Sequence, residues 1–177
     1  GSLPAPAQLE FEKTEIISEL SPHQERVQAS FGFRNAGAKA VTIVNVQTTC
    51  GCTTATLKQK TYAPGESGTI TAELRPGTNP GRVEKKVLVK TDEPGRDAYA
   101  LTIGAVVPQY LILEPLFLKW DFGAEPTPKT LRVTVEERFV IRVVKVHSST
   151  PAWTTEVKTV KEGAAYEIVV KPPAHMQ

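Results

Sequence analysis

Short segments of apolar and polar alternation recur along the chain about every 10 to 15 residues, each closed off by Gly, Pro, Asn or Asp, and this pattern predicts an all-β sandwich or barrel. Strands are expected at Leu9 to Ile17, Val27 to Arg34, Ala40 to Thr48, Thr69 to Leu74, Val83 to Thr91 and Tyr99 to Val107. Turn chemistry separates them: Asn35-Ala36-Gly37, Ala63-Pro64-Gly65-Glu66-Ser67-Gly68, Arg75-Pro76-Gly77 and Asp92-Glu93-Pro94-Gly95. Asn35-Ala36-Gly37 offers residues tolerant of positive φ at a strand exit, and Pro64-Gly65 pre-sets a turn. Phe31 and Phe33 share one face across Gly32. Val41, Ile43 and Val46 also favour one side, which requires an irregularity near Val44. No amphipathic helix of useful length is visible.

At 177 residues the chain has room for two sandwiches of roughly 100 and 70 residues. Pro108 marks the expected boundary, because proline cannot donate to a central ladder. A second series follows it: Leu111 to Leu118, Lys129 to Val135, Val140 to Val146, Trp153 to Thr159 and Tyr166 to Val170. Both halves begin with an extended apolar strand, pass through β-branched strands and reach a Gly-led strand ending in Pro, Gly68 to Pro76 and Gly163 to Pro172. Two more strands follow that point in the first half and none in the second. The second unit is therefore expected to lack a closing hairpin of about 25 residues. Either the chain is cut short or a neighbouring chain completes the sheet by strand addition, and an edge near Tyr166 to Val170 is predicted.

Composition narrows the function classes. Hydrophobic residues make up 40% and charged ones 23%, which fits a folded globular chain. The formal charge of +2 is thinly spread, with Lys85-Lys86 a lone basic doublet between Val83 and Val87, so neither a nucleic acid nor an anionic membrane is an expected partner. The longest apolar run, Leu111 to Leu118, is broken by Glu114 and Pro115 and is far shorter than the ~20 residues of a spanning helix. The opening Gly1-Ser2 has the look of a cloning remnant, so a signal segment is presumed removed.

Cys50 and Cys52 are the only cysteines, and they flank Gly51 at the end of a β-branched run. Such a pair has three chemical outlets: ligation of a soft metal, a small disulfide ring or space filling, with redox cycling available if the ring opens. In a regular strand their Cα atoms stand roughly 6.6 Å apart, too far for a bridge, so ring closure needs a turn for which Gly51 is suited. As thiolates the pair suits near-linear Cu(I), whereas zinc would need two further ligands. His23, His147, His175 and Met176 are all remote in sequence, with His175-Met176 read as a solvated tail. His23 reads as a loop residue and His147 as a strand end. Lys58 and Lys60 read as a solvated face.

No catalytic residue is assigned. A cysteine nucleophile needs a base within reach, and no phosphate loop, nucleophile elbow, zinc-protease signature or calcium loop occurs. The doublets Asp92-Glu93 and Glu136-Glu137 make poor acid/base pairs on strands, because adjacent residues face opposite ways. Trp120 and Trp153 are expected to anchor the second core or the domain junction.

Phe31-Gly32-Phe33-Arg34-Asn35-Ala36-Gly37, Val44-Asn45-Val46, Cys50-Gly51-Cys52-Thr53-Thr54 and Ala63-Pro64-Gly65-Glu66-Ser67-Gly68 occur in that order. The series resembles a bacterial exported family, a domain of unknown function built as an immunoglobulin-like sandwich with a CGCT motif and related to Hydin and major sperm protein type domains. The resemblance covers residues 9–107. The second half is similar to a degenerate repeat without the cysteines, which confines any cysteine role to the first domain. The resemblance implies a seven-stranded sandwich on an exported protein, periplasmic or at the cell surface, with protein partners and no established enzymatic activity.

The expectation is thus a lead over residues 1–8, an immunoglobulin-like domain over 9–107 and an incomplete second one over 108–177. As a function it is a non-catalytic exported interaction or structural module. The alternative is a periplasmic Cu(I)-binding protein using Cys50 and Cys52.

Overall fold

A computed structural model describes residues 7–174, which are all-β with no helix. His175 and Met176 lie outside the described residues. The chain divides into two compact units, Gly1–Pro108 and Gln109–Gln177.

In the first unit nine strands form two sheets. They are β1 (Leu9–Phe11), β2 (Glu15–Glu19), β3 (Val27–Asn35), β4 (Val41–Thr48), β5 (Thr53–Leu57), β6 (Thr61–Tyr62), β7 (Ser67–Leu74), β8 (Gly81–Thr91) and β9 (Tyr99–Val107). One sheet has the order β1-β3-β7-β5 and the other β2-β9-β8-β4-β6. All pairings are antiparallel except β2 with β9. Inward residues of both sheets, among them Phe31, Phe33, Ile70, Leu74, Val87 and Ile103, form one buried cluster, which makes the unit a sandwich. Burying a side chain such as Phe31 completely contributes about 1.5–3 kcal/mol.

Leu9 to Ile17 is not one strand. Leu9 and Phe11 turn to the core on odd positions, whereas Ile16 packs inward on an even one, and a bend over residues 12–14 carries the chain from one sheet to the other. The irregularity expected near Val44 is present as a register shift between Ile43 and Asn45. It leaves Ile43 buried and Val44 about half exposed. β5 and β6 escape the alternation rule because threonine dominates the first and the second spans two residues.

The turns divide into two physical kinds. Pro64-Gly65 forms the turn its residues call for: Gly65 has φ +81° and Glu66 N–H donates to Ala63 O at 3.0 Å. Asn35 works otherwise, since neither it nor Gly37 has positive φ. It is the fully buried end of β3, and its Nδ2 donates to Lys39 O at 2.8 Å and Tyr62 O at 2.9 Å while Oδ1 accepts from Gly37 N at 3.0 Å. Full satisfaction is what allows a polar amide in a core.

The second unit has one sheet: β10 (Leu111–Glu114), β11 (Lys129–Val135), β12 (Thr154–Lys161) and β13 (Ala165–Lys171), in the order β10-β11-β13-β12. The edge expected at Tyr166 to Val170 is not there, because β13 pairs on one side with β11 and on the other with β12. Among the described residues its buried hydrophobic cluster is Val133, Val135, Tyr166 and Ile168, against eighteen such residues in the first unit, as befits a single sheet without a facing one. Val140 to Val146 is not a strand either. Phe139, Ile141, Val143 and Val146 pack on the buried cluster, yet among the described residues no neighbouring strand supplies ladder partners.

Candidate functional site

The β4–β5 connection is built by Thr48 and the two cysteines. Residues 49–52 leave the ladder as a bend and turn, and Thr53 N–H donates to Cys50 O at 3.3 Å. Thr48 Oγ1 is within 3.2 Å of Cys50 O and 3.0 Å of Thr53 O, so one hydroxyl braces both arms of the loop. Arg75 N–H donates to Cys52 O at 3.0 Å, fixing the exit of the turn to the end of β7. This closes the Cα–Cα distance of the pair to 5.4 Å, and Cys50 and Cys52 are joined in a disulfide.

Gly51 is not what permits the closure. It has no positive φ, and a Cβ built on it would meet nothing within 4 Å. The turn around it, rather than a glycine-only conformation, brings the sulfurs together. Thr53 Oγ1 lies 3.6 Å from Cys50 Sγ and 3.9 Å from Cys52 Sγ, and Cys52 packs against the first unit's core. Bonded to each other, the sulfurs are neither nucleophile nor thiolate ligand; metal ligation requires two-electron reduction first.

The other singled-out residues do not converge on the pair. Lys58 and Lys60 are exposed, and Lys60 contributes only its carbonyl, to Ile43 N–H at 2.8 Å. His23 is the third residue of a turn closed by Gln24 N–H on Ser21 O at 3.0 Å, and has φ 68°. His147 lies exposed outside any strand. Among the described residues no group of three or more His, Cys, Asp or Glu is placed to hold a metal ion. Trp120 and Trp153 pack edge to face at 5.0 Å, with Trp120 Nε1 donating to Thr127 O at 2.7 Å, but both are only part-buried and neither belongs to the second unit's hydrophobic cluster, so they do not anchor that core as expected.

Sequence reasoning missed the role of Glu93. Its carboxylate, nearly buried, accepts from Thr91 Oγ1 at 2.7 Å, from Gln8 N–H at 3.0 Å and from Tyr99 Oη at 2.8 Å, and pairs with Arg96 at 3.3 Å. Leu9 N–H in turn donates to Tyr99 Oη at 3.0 Å. The network pins β1 to the β8–β9 turn. Asp92 points elsewhere, accepting from Thr42 N–H at 2.8 Å, so the doublet is two separate structural acceptors. Burial, followed by the neighbouring Glu93 carboxylate, raises the Tyr99 hydroxyl above its usual range. A cleft of about 500 Å³ beside β5 and β7 includes Lys58 and Tyr62, but Tyr62 Oη is committed to Gln59 O at 2.7 Å.

The fold and the site define an all-β sandwich protein whose one reactive pair is bridged. Residues 9–107 match the family described as "Protein of unknown function (DUF1573)", and the chain belongs to that family. The comparison with curated proteins found no match. Among solved structures, a protein of unknown function from Porphyromonas gingivalis W83 is 18% identical, over 56% of this chain and 46% of that one, with a TM-score of 0.48. The VesB protease of Vibrio cholerae is 16% identical over 56% of this chain and 32% of that one, with a TM-score of 0.49. The E. coli chaperone DraB is 12% identical over 94% and 87%, with a TM-score of 0.43. The chain spans less than half the length of the first two. Among the described residues no helix is long and apolar enough to cross a membrane.

Proposed function

We propose that this chain is a non-catalytic interaction or structural module acting outside the cytoplasm, in the periplasm or at the cell surface, with protein partners. The observation that carries the reading is the Cys50–Cys52 disulfide in the β4–β5 turn. Disulfides persist in oxidising compartments, and a bridged pair supplies neither a nucleophile nor a Cu(I) site. Strand orders β1-β3-β7-β5 and β9-β8-β4 support an immunoglobulin-like assignment, since they follow the arrangement of that sandwich. Such scaffolds act through edges and loops. The ring spans three residues, so its contribution to stability is small beside that of a bridge across the sandwich, and the fold is expected to survive without it.

The test is a Cys50→Ser/Cys52→Ser double variant exported in the same host as the parent chain, with partners identified by crosslinking and mass spectrometry. The same partners at similar occupancy are expected. A double variant that folds normally and loses every partner contradicts the reading and returns the function to the cysteines, copper included.

A further inference from the structure

β5 is an edge of the first unit's four-stranded sheet, paired on one side with β7. Its sequence, Thr53-Thr54-Ala55-Thr56-Leu57, holds no charge. Every other edge strand among the described residues is guarded. β1 carries Glu10, β2 carries Glu15 and Glu19, β10 carries Glu114, and β12 carries Glu156 and Lys158. β6 spans two residues, and its Thr61 O accepts from Gln59 Nε2. Charge and short length are how natural sheets discourage pairing at an edge. β5 has neither.

Hydrogen bonds fix which of its backbone groups are open. In an antiparallel ladder alternate residues turn N–H and C=O to one neighbour, and the residues between turn theirs to the other side. Cys52 O accepts from Arg75 N–H at 3.0 Å, so residues 52, 54 and 56 face β7 while 53, 55 and 57 face away. At Thr53 the outward groups are taken within the chain: N–H donates to Cys50 O at 3.3 Å and C=O accepts from Thr48 Oγ1 at 3.0 Å. The cysteine turn thus closes the edge at Thr53. At Ala55 and Leu57 the outward N–H and C=O have no partner among the described residues. Unpaired backbone on an ordered strand is a template for pairing.

We propose that a second copy of this chain pairs here, β5 antiparallel to β5 about a two-fold axis at Thr56. The proposal rests on the interaction-module reading and names one site and one partner for it. The open groups set the register. With the axis at Thr56, Ala55 of each copy exchanges N–H and C=O bonds with Leu57 of the other, and nothing is asked of Thr53. An axis at Ala55 would set Leu57 against Thr53, whose groups are committed. Thr56 then meets Thr56 of the second copy on the exposed face, where paired threonine hydroxyls bond favourably. On the other face Leu57 stands beside Ala55 of the second copy, a large side chain against a small one, next to a groove of about 240 Å³ whose lining includes Val44, Val46, Leu57 and Lys60. The absence of charge is what favours a like strand, because a charged edge paired with itself brings like charges together. Two short strands bury far less than the about 1,200 Å² of a stable complex, so the self-association is weak and reversible.

The test is sedimentation velocity on the full chain from micromolar to millimolar concentration, with amide hydrogen exchange to locate the contact. A monomer–dimer equilibrium is expected, with exchange at Ala55 and Leu57 slowing as concentration rises. Thr56→Lys, an exposed change that puts two ammonium groups on the axis, should raise the dimer dissociation constant at least ten-fold and restore fast exchange at both amides. In the Cys50→Ser/Cys52→Ser background, Thr56→Cys should crosslink to its own copy under mild oxidation, since non-hydrogen-bonded pairs stand about 4.5 Å apart at Cα. Thr54→Cys, which the register holds away from its own copy, should not. A chain that stays monomeric at millimolar concentration, a dimer protected elsewhere, as at β12 or the exposed Phe117 and Phe122, or a dimer indifferent to Thr56→Lys overturns the proposal. So does crosslinking through Thr54→Cys in place of Thr56→Cys. Protection of Ala55 and Leu57 that requires a different protein makes that protein the occupant and equally overturns it. Unchanged partners in the double-serine experiment with no dimer here remove this site and leave the interaction reading; lost partners with the dimer intact remove that reading and leave self-association alone.

Discussion

Tyr166 Oη donates to the carbonyl of Ile141 at 3.1 Å and accepts the amide of Gly163 at 2.9 Å, so one buried hydroxyl ties the unpaired segment to the sheet beneath it. Tyr166→Phe keeps the ring in the core and removes both bonds. Leaving a buried N–H and C=O short of a partner costs about 1–3 kcal/mol. Both tryptophans of the chain, Trp120 and Trp153, belong to the second unit, so their fluorescence reports that unit alone. Urea unfolding followed by tryptophan emission should show a lowered midpoint for Tyr166→Phe, with faster amide exchange at Ile141.

The Tyr99–Glu93 contact gives the first unit a dependence on alkaline pH. Burial first, and then the carboxylate beside it, lifts the Tyr99 hydroxyl above its ordinary 10.0, and Tyr62 is lifted in the same direction by burial and then by Glu66. The folded state therefore holds these protons more tightly than the unfolded chain. The corresponding stability is fully present below about pH 10 and is lost as pH rises through the folded values. Tyr99→Phe should make the fall in urea midpoint between about pH 9 and pH 11 shallower. At neutral pH the same variant should be less stable, because Leu9 N–H and Glu93 each lose a partner.

Two glycines that look alike in the motif series should differ in their tolerance of alanine. A Cβ on Gly68 would stand 2.5 Å from Phe33 Cζ and collide with the Tyr62 ring, in an edge-to-face pair whose centroids are 4.8 Å apart. Overpacking of this kind costs about 1–3 kcal/mol, so Gly68→Ala should lower the first unit's thermal midpoint by several degrees. Gly51→Ala meets nothing and needs no positive φ. It should change stability by less than about 0.5 kcal/mol and keep the disulfide, as intact mass with thiol labelling would read.

Much of the fold was legible because strand burial is periodic. β3 alternates from Val27 to Asn35, β9 keeps its ends at Tyr99 and Val107, and the misfit near Val44 announced the register shift. Where the sequence misled, tertiary pairing decided the outcome. Val140 to Val146 has the composition of a strand, but a strand exists only with a neighbour. Tyr166 to Val170 was expected at an edge because no strand follows it in the repeat, but β12 and β11 flank it on both sides. Asn35 was visible as a turn residue and invisible as a buried three-bond hub, because its partners Lys39 and Tyr62 are set by the fold. Glu93 was hidden for the same reason, its partners Gln8 and Tyr99 being 85 positions before it and 6 after it. The cysteine pair was plain in sequence, yet spacing alone left space filling, a disulfide, metal ligation and redox cycling open.

That pair also offers the most direct check on the account. Protein exported and purified without reductant, denatured, alkylated and weighed intact should carry no label, and should show unchanged mass after one equivalent of Cu(I) under native conditions. Two labelled thiols that become protected by a single bound copper would contradict it, and would make Cys50 and Cys52 a metal site rather than a structural turn.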